Sequence, residues 1–155
     1  MAVKDSLTGL ISGLLLDRPW KNKSADQVAE ALALSGRKLE RTFAAAPDRA
    51  ENRRLLSHII GIERWGQNRL RVALGAPLVM DEYDGYRPPQ EATWEDLQAA
   101  FGQTRQETVA LASQFGPALA SSSPIPHNQF GPLTVRSWLR YLDVHASLEA
   151  KKLKS

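Results

Sequence analysis

Four long stretches of the chain repeat apolar residues at three- and four-residue spacing, and helix-start or helix-stop residues bound them. Ser24-Ala25-Asp26-Gln27 is a capping-box pattern, in which the Ser24 hydroxyl accepts an early backbone N–H and Gln27 reaches back to the cap. Val28, Leu32, Leu39 and Phe43 follow at helical spacing, and this segment stops before Pro47. Asp48-Arg49-Ala50-Glu51 reads as a second capping box. It opens a helix running to Leu74, where Gly75 supplies a left-handed C′ residue and Pro77 prevents continuation. Thr93-Trp94-Glu95-Asp96 opens a third helix, with acidic residues in the first turn to complement the helix dipole. Its seam is Trp94, Leu97, Phe101, Leu111 and Phe115, with Thr104 and Thr108 filling the middle, and Gly116-Pro117 ends it. The fourth helix begins after Pro132 with Thr134 as N-cap and continues to the C-terminal lysines. No segment alternates well enough to predict a strand.

This pattern predicts an all-α fold, a four-helix bundle over residues 24–155. Residues 1–23 form an N-terminal extension with a short extra helix in the run Leu7–Leu16. At 155 residues, 43% apolar and 24% charged, the chain is long enough for one domain with a sizeable core. The short turn near Pro47 predicts that the first two helices are antiparallel neighbours. The stretches Ala76–Ala92 and Pro117–Leu133 are long connections, of the kind that line a site or serve as crossovers. The Leu7–Leu16 run is too short to span a bilayer, and Asp17-Arg18-Pro19-Trp20 follows it in place of a signal cleavage site. A cytoplasmic protein with no membrane partner is the expectation.

Residue counts narrow the chemistry further. The absence of cysteine removes disulfides, thiolate metal sites and a cysteine nucleophile together. Imidazole chemistry falls to three residues, His58, His145 and His127. The balance of 20 basic against 17 acidic residues leaves a net charge of +3, and the Lys151-Lys152-Leu153-Lys154 tail supplies much of it. Arg53, Arg64 and Arg71 share one face of the second helix with Glu63 beside them, which reads as solvated surface and predicts no nucleic-acid partner. Gly-rich phosphate loops, G-x-S-x-G elbows and paired catalytic carboxylates are missing.

Polar residues on the apolar stripes mark the candidate site. The second helix carries the stripe Leu55, Ile59, Ile62 and Trp65, and His58 falls inside it. The fourth runs Val135, Trp138 and Leu142, and then His145, Glu149 and Leu153 at the same spacing. Burying an imidazole and a carboxylate costs several kcal/mol, roughly the scale for unpaired polar groups, unless each finds a partner. Two arrangements supply one. Glu149 and His145 form an i,i+4 ion pair with His58 hydrogen-bonded nearby, or His58, His145 and Glu149 converge on one divalent cation with open positions. His127, in Pro124-Ile125-Pro126-His127-Asn128, lacks a ligand partner at helical spacing and reads as a surface histidine. Glu63 points off the seam and reads as solvated.

Leu55-Leu56-Ser57-His58-Ile59-Ile60-Gly61-Ile62-Glu63-Arg64-Trp65 resembles the second helix of the DinB-like (damage-inducible, YfiT-like) metalloenzyme superfamily. Thr134-Val135-Arg136-Ser137-Trp138-Leu139 with Leu142-Asp143-Val144-His145 is similar to that family's last helix, so the resemblance extends from about Ser24 to the end. It implies a divalent metal (zinc, nickel, iron or manganese) held by one histidine of the second helix and an H-x3-H pair of the last. His58 and His145 match the first two ligands. Glu149 stands where the family has its third histidine, and Lys152 where a glutamine often follows. The resemblance further implies a transferase or isomerase acting on a small-molecule substrate with a low-molecular-weight thiol such as bacillithiol, mycothiol or glutathione, and commonly a homodimer. The damage-inducible label refers to stress-linked expression of some members and implies no DNA binding. The substitution at Glu149 leaves open a degenerate site, in which Glu149 pairs with Lys152 or His145 and the protein works through dimerisation or partner binding without catalysis.

Overall fold

A computed structural model describes residues 18–155, and the helix expected within residues 7–16 lies outside them. The helices are α1 (Ala25–Ala45), α2 (Ala50–Leu70), α3 (Trp94–Phe115), a single turn α4 (Ala118–Ser121) and α5 (Val135–Ala150). Strands β1 (Ile125–His127) and β2 (Gly131–Leu133) pair antiparallel, with Ile125 opposite Leu133 and His127 opposite Gly131. The fold is all-α apart from this small hairpin, which the sequence pattern did not predict. Three residues per strand are too few to display alternation.

Two of the capping boxes form as expected. Gln27 N donates to Ser24 Oγ at 3.2 Å and Ser24 N to Gln27 Oε1 at 2.9 Å, while Thr93 and Asp96 exchange two bonds of 3.0 Å. Thr134 caps α5 by accepting from Ser137 N. The expected box at Asp48 does not form: Arg49 is the N-cap, without a side-chain bond, and the Asp48 carboxylate takes a two-point contact from Arg53. Helix α2 tightens into a 3₁₀ turn at Arg71–Leu74 and stops at Gly75, whose φ of 103° is the left-handed cap expected of it.

Helix α1 packs along α3 and α5, and α2 packs along the same two helices. The expectation that α1 and α2 are neighbours is therefore corrected: joined by only four residues, they take opposite corners and meet across the core. Two glycines explain the choice of neighbours. A Cβ at Gly36 of α1 would stand 2.6 Å from Arg105 Cγ of α3, and one at Gly66 of α2 would stand 2.5 Å from Leu142 Cδ2 of α5. Each pair of helices approaches at a point where only hydrogen fits.

The core has two apolar halves. One gathers Val28, Leu32, Trp65, Phe115, Trp138 and Leu142; the other gathers Leu39, Phe43, Leu56, Ile59, Phe101 and Ala146. Between them on α2, α3 and α5 lie Glu63, Arg105 and Asp143, so a polar layer divides the core at mid-height. Glu63 is 1% exposed, which overturns its reading as solvated. The Arg105 guanidinium grips it at two points (2.6 and 3.0 Å), Thr108 Oγ1 donates to it at 2.8 Å, and Arg105 also reaches Asp143 and the Leu32 carbonyl at 3.3 Å. Buried charges survive where their remaining hydrogen-bonding capacity is met, as it is here. Arg64 is also half-buried, donating to Thr104 and the Tyr86 carbonyl, while Arg53 and Arg71 pair with Asp48 and Glu107 on the accessible face.

One buried residue fastens each remaining segment. Asn52 donates to the carbonyls of Pro47 and Lys154 and accepts from Lys154 N, pinning the C-terminal residues to the start of α2. Arg69, with no exposed surface, donates to the carbonyls of Val79, Asp81 and Pro126 and to Asn128 Oδ1. It thereby joins both long connections to the end of α2. The first connection lies over α2 as a 3₁₀ turn, Tyr83–Tyr86. No helix among the described residues is long and apolar enough to cross a membrane.

Candidate metal centre

Helices α2 and α5 run side by side with His58 facing His145, and their Nε2 atoms stand 3.2 Å apart. Glu149 is one turn beyond His145 on α5. One ligand atom from each of His58, His145 and Glu149 lies within 4.8 Å of the others, and this is the one such group among the described residues. The three sit at the rim of the core. On α2 the expected Ile59, Ile62 and Trp65 are buried, joined by Leu56, Ile60 and Glu63, while Leu55 is half-buried; on α5 the expected Val135, Trp138 and Leu142 are buried, joined by Leu139, Ala146 and Ala150. The predicted site residues are thus half-buried and open to one side.

The charges suit a cation. Burial holds the His145 imidazolium pKa down to about 4, with the His58 ring and Lys152 adding to the effect and Glu149 opposing it. Burial also lowers that of His58, helped by Arg87 and Lys152 against Glu149 and Asp84. Glu149 goes the other way: burial would raise it, but the Lys152 hydrogen bond and the nearby histidines hold it below the usual carboxylate range. At neutral pH the site therefore presents two neutral imidazoles and one carboxylate, a nitrogen and oxygen donor set matched to a first-row divalent ion. The spacing agrees. Two nitrogens bonded to one ion at about 2.0–2.1 Å and 3.2 Å apart subtend about 100° at it, near tetrahedral or octahedral values. Glu149 Oε1 also accepts from Lys152 Nζ at 2.8 Å, and among the described residues its ion pair is with Lys152 alone. The second carboxylate oxygen makes no such bond.

Tyrosines flank the histidines. The Tyr83 ring meets His58 edge-on at 5.0 Å between centroids, and Tyr141, one turn before His145 on the same ridge of α5, lies 5.8 Å from it. Tyr141 is held in turn by His127 (4.7 Å), Phe130 (5.7 Å) and Trp138 (5.9 Å). Burial raises its phenol pKa, with the Glu149 carboxylate and the Tyr83 phenol raising it further.

His127 is corrected from surface to interior: it is 4% exposed, enclosed by Trp65, Phe130, Trp138 and Tyr141. The hairpin carries it there. Its Nδ1 accepts from Gln129 N at 3.0 Å and Phe130 N at 3.2 Å, which fixes the proton on Nε2, a buried atom without a hydrogen-bond partner. Burial, with Arg69 and His145 nearby, brings its pKa down to about 4.

No protein-family model matches the chain, and no curated protein or solved structure is significantly similar to it. The functional reading rests on the site itself. Tyr141 was accessible to sequence reasoning, since it precedes His145 by four residues and so shares its face. Tyr83, Arg69 and the interior His127 depend on how the two connections fold back, which carries no helical period.

Proposed function

We propose that this chain is a DinB-like four-helix-bundle enzyme that holds a divalent cation between α2 and α5 through His58, His145 and Glu149. The observation that carries the reading is the convergence of three ligand atoms within 4.8 Å, from two neutral imidazoles and an ionised carboxylate. In this reading His58 and His145 use Nε2 and keep the proton on Nδ1. Glu149 uses the oxygen that Lys152 does not engage, so Lys152 steers the carboxylate without competing for it. A bound divalent cation supplies Lewis acidity, lowering the pKa of a coordinated thiol or water. The reaction class is transfer to or isomerisation of a small-molecule substrate with a low-molecular-weight thiol of the bacillithiol, mycothiol or glutathione type. Such a molecule supplies the thiol that this cysteine-free chain lacks. A cytoplasmic homodimer is part of the same proposal.

Metal analysis of purified chain, before and after reconstitution with zinc, nickel, iron or manganese, tests the reading. About one ion per chain is expected, falling to background in His58→Ala and His145→Ala, together with thiol-dependent turnover of an electrophilic substrate. Absence of stoichiometric metal under every loading condition overturns it.

A second reading is favoured by the contacts His58–His145 and Glu149–Lys152, which partner all three groups with no ion. Here the site is degenerate and the protein acts through dimerisation or a partner without catalysis. It predicts that chelators leave thermal stability unchanged and that the chain self-associates or captures a partner independently of metal.

A further inference from the structure

We propose that the Tyr141 hydroxyl donates a hydrogen bond to a small anion held at the open side of the His58–His145–Glu149 centre, making that side an anion-binding subsite. The inference rests on the cation reading above and goes beyond it by assigning the class of ligand and the group that recognises it.

Three observations carry it. First, Tyr141, His145 and Glu149 are spaced by four residues along α5, so the phenol stands on the same ridge as two of the candidate ligands and one turn from the nearer. Second, its ring is enclosed by His127, Phe130 and Trp138, which set its direction before any ligand arrives. Third, the Tyr141 hydroxyl makes no hydrogen bond to any described residue, although Tyr86, on the strap over α2, spends its own on Asp81 at 2.6 Å. Tyr141 is half-buried, and its hydroxyl is free to donate to a ligand.

The ligand chemistry follows from the donor set. Two neutral imidazoles and one carboxylate leave a divalent site with net positive charge, so the remaining position favours a singly charged anion such as a thiolate or a carboxylate. A phenol is protonated at neutral pH and is a donor to such an atom. A hydrogen bond to a charged partner is worth more than one between neutral groups, so its loss should be readable in affinity.

The test uses the whole chain loaded with Co²⁺, whose visible bands report its ligands, and azide as the anion. Azide should change the spectrum saturably. Tyr141→Phe keeps the ring and should bind Co²⁺ within about twofold of wild type, but bind azide about tenfold or more weakly. Tyr86→Phe should match wild type in both. If Tyr141→Phe binds azide as tightly as wild type, or the wild-type spectrum ignores azide, the subsite is refuted while the cation reading stands. If Co²⁺ does not bind at all, the cation reading fails and the subsite falls with it.

Discussion

Replacing His127 with asparagine should make the protein less sensitive to acid. The wild-type imidazole has a pKa of about 4 in the folded state, against 6.5 when free. A depressed folded value means that the unfolded chain takes up the proton first as pH falls. The stabilisation is complete above pH 6.5, is lost progressively below it, and is gone below about pH 4. Between those limits the loss runs at about 1.4 kcal/mol per pH unit, and integration from pH 7 to pH 5 gives about 2 kcal/mol from this one residue. Asparagine removes the titration, and its Oδ1 lies where Nδ1 accepted the Gln129 and Phe130 amides. Urea unfolding of both proteins at pH 7 and pH 5 supplies the four stabilities needed. His58 and His145 titrate in both proteins, so the difference isolates His127 together with its coupling to His145. The wild type should lose about 2 kcal/mol more than His127→Asn over this interval. Equal losses would mean that His127 is accessible to water and protons, and the enclosed hairpin histidine would be wrong.

Other perturbations probe separate parts of the fold. Gly66→Ala places a methyl 2.5 Å from Leu142 Cδ2 and should cost about 1–3 kcal/mol by urea unfolding while weakening cation binding, because α2 and α5 must part where they carry His58 and His145. Arg105→Met leaves the Glu63 carboxylate buried without its cation, and Asp143 with Arg140 alone, and should destabilise by about 3–5 kcal/mol; adding Glu63→Gln should restore part of that loss. Asn52→Ala frees both backbone groups of Lys154, so hydrogen exchange at the Lys154 amide should accelerate by at least about tenfold while exchange in the middle of α3 changes far less.

The helices were legible because their signals are local. Ser24 with Gln27, Thr93 with Asp96, and Gly75 act within one turn, and each took the role its sequence neighbours assign. Asp48 failed for an equally local reason: Arg53 offered its carboxylate a stronger partner than a backbone N–H. His58, His145 and Glu149 came together as their spacing allowed, half-buried at the edge of stripes whose apolar members Ile59, Ile62, Trp65, Val135, Trp138 and Leu142 are buried. Glu63 was concealed because the buried face of α2 is wider than the predicted stripe. Leu56, Ile59, Ile60, Glu63 and Gln67 form a ridge at helical period, but its centre shows only when the neighbours of α2 are known. The pairing of helices was not legible from loop length, because Gly36 and Gly66 decide it by contacts between segments distant in sequence. His127 was hidden for a similar reason, in a hairpin whose strands are shorter than any detectable period.

Arg69 holds the two long connections by four acceptors, three of which are main-chain carbonyls. A guanidinium that grips carbonyls recognises the path of a chain, and here only Asn128 and Asp81 add side-chain contacts to that grip. The segment carrying Tyr83 can therefore exchange that side chain and still return to the same place beside α2, whereas His127 itself helps to shape its hairpin. The anchor and the surface it positions are separable. Substitutions along residues 82–87 should retune what the rim of the site accepts, whereas loss of Arg69 should release both segments together.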